Sequence, residues 1–125
     1  MELIKSILLV IIAILLIGIF VPFSIIFTII ILLFGFSIKK VYYYICDLLY
    51  NIALSLDQFG NVTCMYLFNY LLIKNNSNGF GNVDETVSSV LGRHKLNNNL
   101  TKVGKLLDNI LNIFEKNHTL KSIGS

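Results

Sequence analysis

No charged side chain occurs between Lys5 and Lys39, and this uninterrupted apolar run, Ser6 to Ile38, constrains the chain more than any other feature. A helix rises about 1.5 Å per residue and needs about 20 residues to cross a hydrocarbon core, so the run is long enough to span a membrane with residues to spare. A secretion signal has an apolar core of only about 7–15 residues and a small-residue cleavage site. This run is longer and no such site follows, so it reads as a retained anchor. As one straight helix, residues 3 to 38 would extend about 54 Å against a hydrocarbon layer of about 30 Å, which requires a bend or a tilt. Pro22 stands at the middle with Gly18 before it, and proline there removes a backbone donor and crowds the preceding turn. Two arrangements follow: a helical hairpin with arms near 3–20 and 23–39, or one long kinked transmembrane helix. Lysines at both ends favour the hairpin, because they prefer the cytoplasmic side. The absence of a polar turn residue in Ile19-Phe20-Val21-Pro22-Phe23 opposes it.

A chain of 125 residues leaves room for one membrane element and one small polar portion. The expected fold class is an all-α membrane protein, with a membrane anchor at 1–40 and a membrane-proximal helical domain at 41–125. Lys39 and Lys40 outweigh Lys5, which has Glu2 beside it, so the portion after residue 40 is expected in the cytoplasm. The net charge of +3 is scattered among acids and asparagines and makes only a weak nucleic-acid footprint. Attraction to anionic head groups explains it more simply. Cys46 and Cys64 have 17 residues between them, a spacing that suits neither a metal site nor a small disulfide framework, and they read as buried thiols. No metal or cofactor is expected.

Beyond the anchor, Tyr42, Tyr43, Tyr44 and Tyr50 form an interfacial belt. Asp47, Asn51, Ser55 and Gln58 recur at helical spacing and predict one polar stripe on a helix from Val41 to about Phe59, pausing at Gly60 and resuming through Lys74. Residues 75–82, rich in asparagine and glycine, are a loop. Asp84 and Glu85 suit the start of a short helix that Gly92 would close. A last amphipathic helix is predicted with Thr101 as its cap and Leu100, Val103, Leu107, Ile110, Leu111 and Phe114 as its apolar stripe.

The chemically capable side chains gather in Asp57, Gln58, Asn61, Asp84, Glu85, Thr86, Ser88, Ser89, Arg93, His94 and His118. None matches a nucleophile elbow, a phosphate-binding glycine loop or a two-histidine metal helix. The segment from Gly81 to Gly92, Gly-Asn-Val-Asp-Glu-Thr-Val-Ser-Ser-Val-Leu-Gly, preceded by Asp57-Gln58-x-x-Asn61 and followed by Asn117-His118 and Ser122, resembles an uncharacterised family of small phage and prophage proteins. Its members show Asp-Gln-x-x-Asn, Gly-x-Pro-Asp-Glu-Thr-Ile-Ser-Ser and a terminal Asp-Pro-x-His followed by Ser. The likeness covers about residues 55–123. Val83 replaces the family proline, Val87 its isoleucine, and Glu115-Lys116 its Asp-Pro. The resemblance implies a phage or prophage origin, and hence the host inner membrane, but no established reaction.

Three functions are compatible with these features. The first is a non-enzymatic phage membrane protein that forms homo-oligomers or engages a host envelope protein, in lysis or envelope remodelling. The second is a membrane-tethered enzyme using Asp84, Glu85, Ser88 or Ser89, and His118, for which the sequence supplies no activating geometry. The third is a nucleic-acid or host-protein tether through Arg93, Lys95 and Lys102. On structural grounds, Asp57, Gln58, Asn61, Asp84 to Thr86, Ser88, Ser89 and His118 are expected to converge into one hydrogen-bonded cluster, because buried polar groups need partners.

Overall fold

The computed structural model describes residues 2–35 and 37–125, and the fold is all-α. Six helices follow one another among these residues: α1 Glu2–Gly35, α2 Ile38–Thr63, α3 Met65–Leu71, α4 Val87–Leu96, α5 Lys102–Phe114 and α6 His118–Lys121. The chain divides into two compact units, Met1–Cys46 and Asp47–Ser125, with the division falling inside α2.

In the first unit α1 runs for 34 residues with Pro22 inside it and no residue buried. By length and composition it can cross a membrane, and an 18-residue window within it has a mean hydropathy of 3.1. The hairpin expected from the flanking lysines does not form, because no turn interrupts α1 at Ile19–Phe23. The energetics favour this outcome. A proline inside a helix forfeits one hydrogen bond and costs about 3 kcal/mol, whereas a tight turn without polar side chains would strand several donors and acceptors in apolar surroundings. The start of α2 is anchored by the Ser37 carbonyl, which accepts from Lys40 N at 2.9 Å and Val41 N at 3.1 Å.

The second unit owes its core to Leu72, Ile73, Phe80, Val87, Val90, Leu91 and Leu100, with Met65, Phe68, Leu107 and Leu111 packed against it. Phe68 meets Phe80 edge to face, ring centroids 5.3 Å apart. Helix α4 is central: Val87 to Gly92 and His94 are all buried. The glycine expected to end this helix instead lies within it. A Cβ on Gly92 would overlap the Thr119 carbonyl oxygen, so the missing side chain lets α6 rest on α4. Likewise the helix starts at Val87 and not at Asp84, since Thr86, in extended conformation, is the cap.

Two further expectations, the pause at Gly60 and the buried thiols, are corrected. The second helix passes Gly60 without a pause and breaks after Thr63, because a single glycine costs a helix only about 1 kcal/mol. Asp47, Asn51 and Ser55 lie exposed along it as the polar stripe, while Leu54, Asp57 and Gln58 are half-buried and Asn61 is fully buried. Cys46 is exposed and Cys64 half-buried, both as free thiols, because the apolar flanks of α2 are largely uncovered. Thr101 caps α5 as its position predicts, accepting from Gly104 N at 3.0 Å.

Candidate functional site

Helix α4 begins with donors that have no partner within the helix, and the polar residues of α2 and the preceding loop are arranged around them. Asp57 Oδ1 accepts from Val87 N at 3.0 Å, and Oδ2 from Ser88 N at 3.4 Å and Ser88 Oγ at 2.7 Å. Thr86 Oγ1 accepts from Ser89 N at 3.0 Å. The Thr86 carbonyl takes the next amide, that of Val90, at 3.2 Å. The α4 N-terminus is therefore fully satisfied, and the Asp57 carboxylate lies where the helix dipole is positive.

The loop that delivers Thr86 is held by two asparagines. Asn61, completely buried, donates to the Asn82 carbonyl at 2.9 Å and the Glu85 carbonyl at 2.7 Å, and accepts from Gly81 N at 3.0 Å. Asn69 binds both backbone groups of Phe80, accepting from its N–H at 2.8 Å and donating to its carbonyl at 3.0 Å. The Glu85 side chain turns to Arg93, whose Nη2 reaches both carboxylate oxygens at 2.8 and 3.0 Å. Ser89 Oγ accepts from Gly124 N at 3.0 Å, tying the end of the chain to α4.

Asp57, Thr86 and His118 line one cavity of about 450 Å³, with Tyr50, Ala53 and Leu54 as its apolar wall and Glu115 and Lys121 at its polar side. His118 Nδ1 lies 3.1 Å from Glu115 Oε2, and Lys121 Nζ donates to Glu115 Oε1 at 2.6 Å. These bonds, Lys121 first, hold the Glu115 carboxyl below the usual glutamate range. The structure thus brings Asp57, Thr86 and Ser88 into direct contact or adjacency, with Asn61 one helical turn from Asp57. Glu85 is drawn away to Arg93. Asp84 is exposed, its backbone N–H bonded to Asn82 Oδ1, and half-buried Gln58 makes no side-chain hydrogen bond among the described residues. Among those residues no three histidine, cysteine, aspartate or glutamate side chains converge as a metal site.

A second polar centre forms around His94, which the sequence offers as a capable side chain but not as the hub of a network. Its ring is buried; Nδ1 lies 2.7 Å from Asn99 Nδ2 and Nε2 3.1 Å from the Asn78 carbonyl. Asn99 accepts from Asn75 N at 3.1 Å and donates to the Asn75 carbonyl at 2.8 Å, which fixes its amide orientation. With the Asn99 amide donating, Nδ1 must accept and the proton sits on Nε2, facing the Asn78 carbonyl. Burial, chiefly, and the adjacent Arg93 push the His94 pKa down, against a smaller upward pull from the Asn78 carbonyl and Glu85. The unfolded chain therefore takes up this proton before the folded one does. Stability is full above about pH 6.5 and falls as the pH drops below that value. Thermal unfolding of the full-length protein between pH 7 and pH 5 is expected to show this loss, and His94→Gln is expected to flatten it. An unchanged slope in the variant would assign the loss elsewhere.

Comparison of the chain with family models, curated proteins and solved structures finds no match.

Proposed function

We propose that this is a non-enzymatic integral membrane protein of phage or prophage type, anchored by α1 in the host inner membrane with the Asp47–Ser125 unit in the cytoplasm, acting in lysis or envelope remodelling. The observation that carries the anchoring is the uniform apolarity of α1: 34 residues, none buried, with a hydrophobic face all round. In water such a surface would be a large aggregation liability; in lipid it is the expected one. The phage assignment rests on the Asp57 to Asn61 and Gly81 to Gly92 motifs. The structural commitment of the motif's polar groups supports a scaffold over an enzyme. Ser88 Oγ donates to Asp57 and Ser89 Oγ accepts from Gly124 N, both serines are buried, and His118 is bonded to Glu115. A nucleophile would need a base at its hydroxyl and an open approach.

Expression in bacteria tests this. The intact chain is expected in the membrane pellet after carbonate extraction, and its induction to collapse membrane potential or shift the timing of phage lysis. Leu15→Arg/Ile19→Arg is expected to abolish membrane recovery, each arginine costing about 3 kcal/mol near the centre of a span. Recovery of the wild type in the soluble extract without detergent would overturn the anchoring. Stable insertion with unaltered potential and lysis timing would overturn the lysis role alone.

A further inference from the structure

Helix α5 carries more apolar surface than the core of its unit uses. Leu107 and Leu111 pack on that core, and Gly104 and Asp108 beside them are buried. The adjoining arc, Val103, Leu106, Ile110, Ile113 and Phe114, is exposed, with Ile113 at 78% and Phe114 at 86% of full exposure. Their spacing places all five on about 100° of the helix, so they form a stripe along its whole length and not scattered single residues. Monomeric proteins in water rarely leave so continuous an apolar patch uncovered.

The charges beside the stripe identify what covers it. Exposed Lys102 and Lys105 lie along one margin, followed by Asn109 and Asn112, and the one acid of the helix, Asp108, is buried and bonded to Lys95 Nζ at 2.7 Å. The outer surface of α5 is thus apolar and cationic, with no exposed carboxylate. A second copy of the chain pairing through this stripe would bring the same uncompensated lysines to the interface. An anionic lipid surface meets both features at once: acyl chains take the stripe and head groups take the lysines, as for helices lying in the plane of a bilayer.

We infer that α5 is a second membrane contact of this protein, lying in the head-group region of an anionic bilayer with Val103, Leu106, Ile110, Ile113 and Phe114 directed into it. The inference rests on the anchoring reading above, since α1 supplies the bilayer. Its consequence is a doubly attached unit, tethered at the start of α2 by the chain and held along α5 by lipid.

The chain has no tryptophan, so one introduced indole reports one position. Full-length Phe114→Trp, Asn109→Trp and Phe20→Trp proteins are reconstituted in mixed phosphatidylcholine–phosphatidylglycerol vesicles with brominated acyl chains. The Phe114→Trp indole is expected to lose more than half its emission and to shift to the blue, while Asn109→Trp on the polar side stays unquenched. Adding Lys102→Glu and Lys105→Glu to Phe114→Trp is expected to halve the quenching. Quenching at Phe20→Trp with water-like emission at Phe114→Trp overturns the α5 contact and leaves the anchor standing. Absence of quenching at both positions overturns the anchor itself. Emission at Phe114→Trp that is blue-shifted but unquenched, and that varies with the protein-to-lipid ratio, assigns the stripe to a second copy and also overturns the inference.

Discussion

Asn61→Ala is expected to destabilise the Asp47–Ser125 unit by about 4 kcal/mol, roughly 1–2 kcal/mol for each of three bonds that no water can replace without opening the structure. The Asn61 side chain is completely buried and its partners are main-chain groups: the carbonyls of Asn82 and Glu85 and the N–H of Gly81. Removing it frees the loop that places Thr86 and Glu85, and with them the α4 cap and the partner of Arg93. In a unit of this size about 4 kcal/mol corresponds to a fall in Tm of roughly 20 °C. The measurement is thermal unfolding of the full-length protein in detergent, with hydrogen exchange of the α4 amides as a local reading. Asn61→Asp sharpens the test. An ionised carboxylate still accepts from Gly81 but turns an acceptor toward two carbonyl oxygens, so it should destabilise at least as much at neutral pH. Protonation restores one donor, so this variant should gain stability relative to the wild type as pH falls, the reverse of the His94 effect. A loss below 1 kcal/mol in Asn61→Ala would show that the loop is held by Asn69 and the core alone.

How far such features could be read in advance depends on whether their cause is local. The apolar run of α1 is a property of composition, and the Thr101 cap is a property of one residue and its successors, so both were legible. Gly92 was not, because a glycine that ends a helix and one that admits a neighbour look alike in sequence; what distinguishes them is Thr119, remote along the chain. Asp84 and Glu85 imitate the acidic first turn of a helix, yet Glu85 is directed to Arg93 and the cap is Thr86. Helical spacing draws the polar stripe of α2 through Asp47, Asn51, Ser55 and Gln58, while Asp57 and Asn61, which bind the rest of the unit, stand out only through the Asp-Gln-x-x-Asn motif. Periodicity finds a polar face but not which polar residues are buried. The asparagines show the same limit. The asparagine-rich loop 75–82 reads as residues that bond their own backbone, as Asn75 does in accepting from Ser77 N, but nothing in the sequence marks Asn99 as the residue that joins two loops to the His94 ring. Along α5 the apolar stripe was drawn as one face, and only the packed unit divides it into Leu107 and Leu111 inside and Val103, Ile110 and Phe114 outside.

A second large effect is expected at Asp108, the one acid on α5. Its Oδ2 accepts from Lys95 Nζ at 2.7 Å and its Oδ1 from Thr119 Oγ1 at 2.5 Å, so a single carboxylate joins α4, α5 and α6. The carboxylate is almost wholly buried and Thr119 completely so, while Lys95 keeps about a third of its side chain in solvent. Asp108→Ala leaves the Thr119 hydroxyl without its acceptor and a cavity between three helices, and should cost about 3 kcal/mol, the lower end for a broken buried pair because Lys95 can rehydrate. Asp108→Asn keeps an acceptor for Thr119 and removes only the charge, and should cost about 1 kcal/mol. If burial rather than charge sets the loss, Asp108→Leu/Thr119→Val, which removes the polar groups on both sides, recovers part of the Asp108→Ala deficit, since matched apolar groups avoid an unsatisfied hydroxyl. Equal losses for Asp108→Ala and Asp108→Asn would instead give the ion pair with Lys95 the dominant role, and that loss should then shrink as salt is raised. The two outcomes separate a hydrogen-bonded junction from an electrostatic one. The geometry favours the first, because the fully buried partner is the threonine hydroxyl and the exposed partner is the lysine.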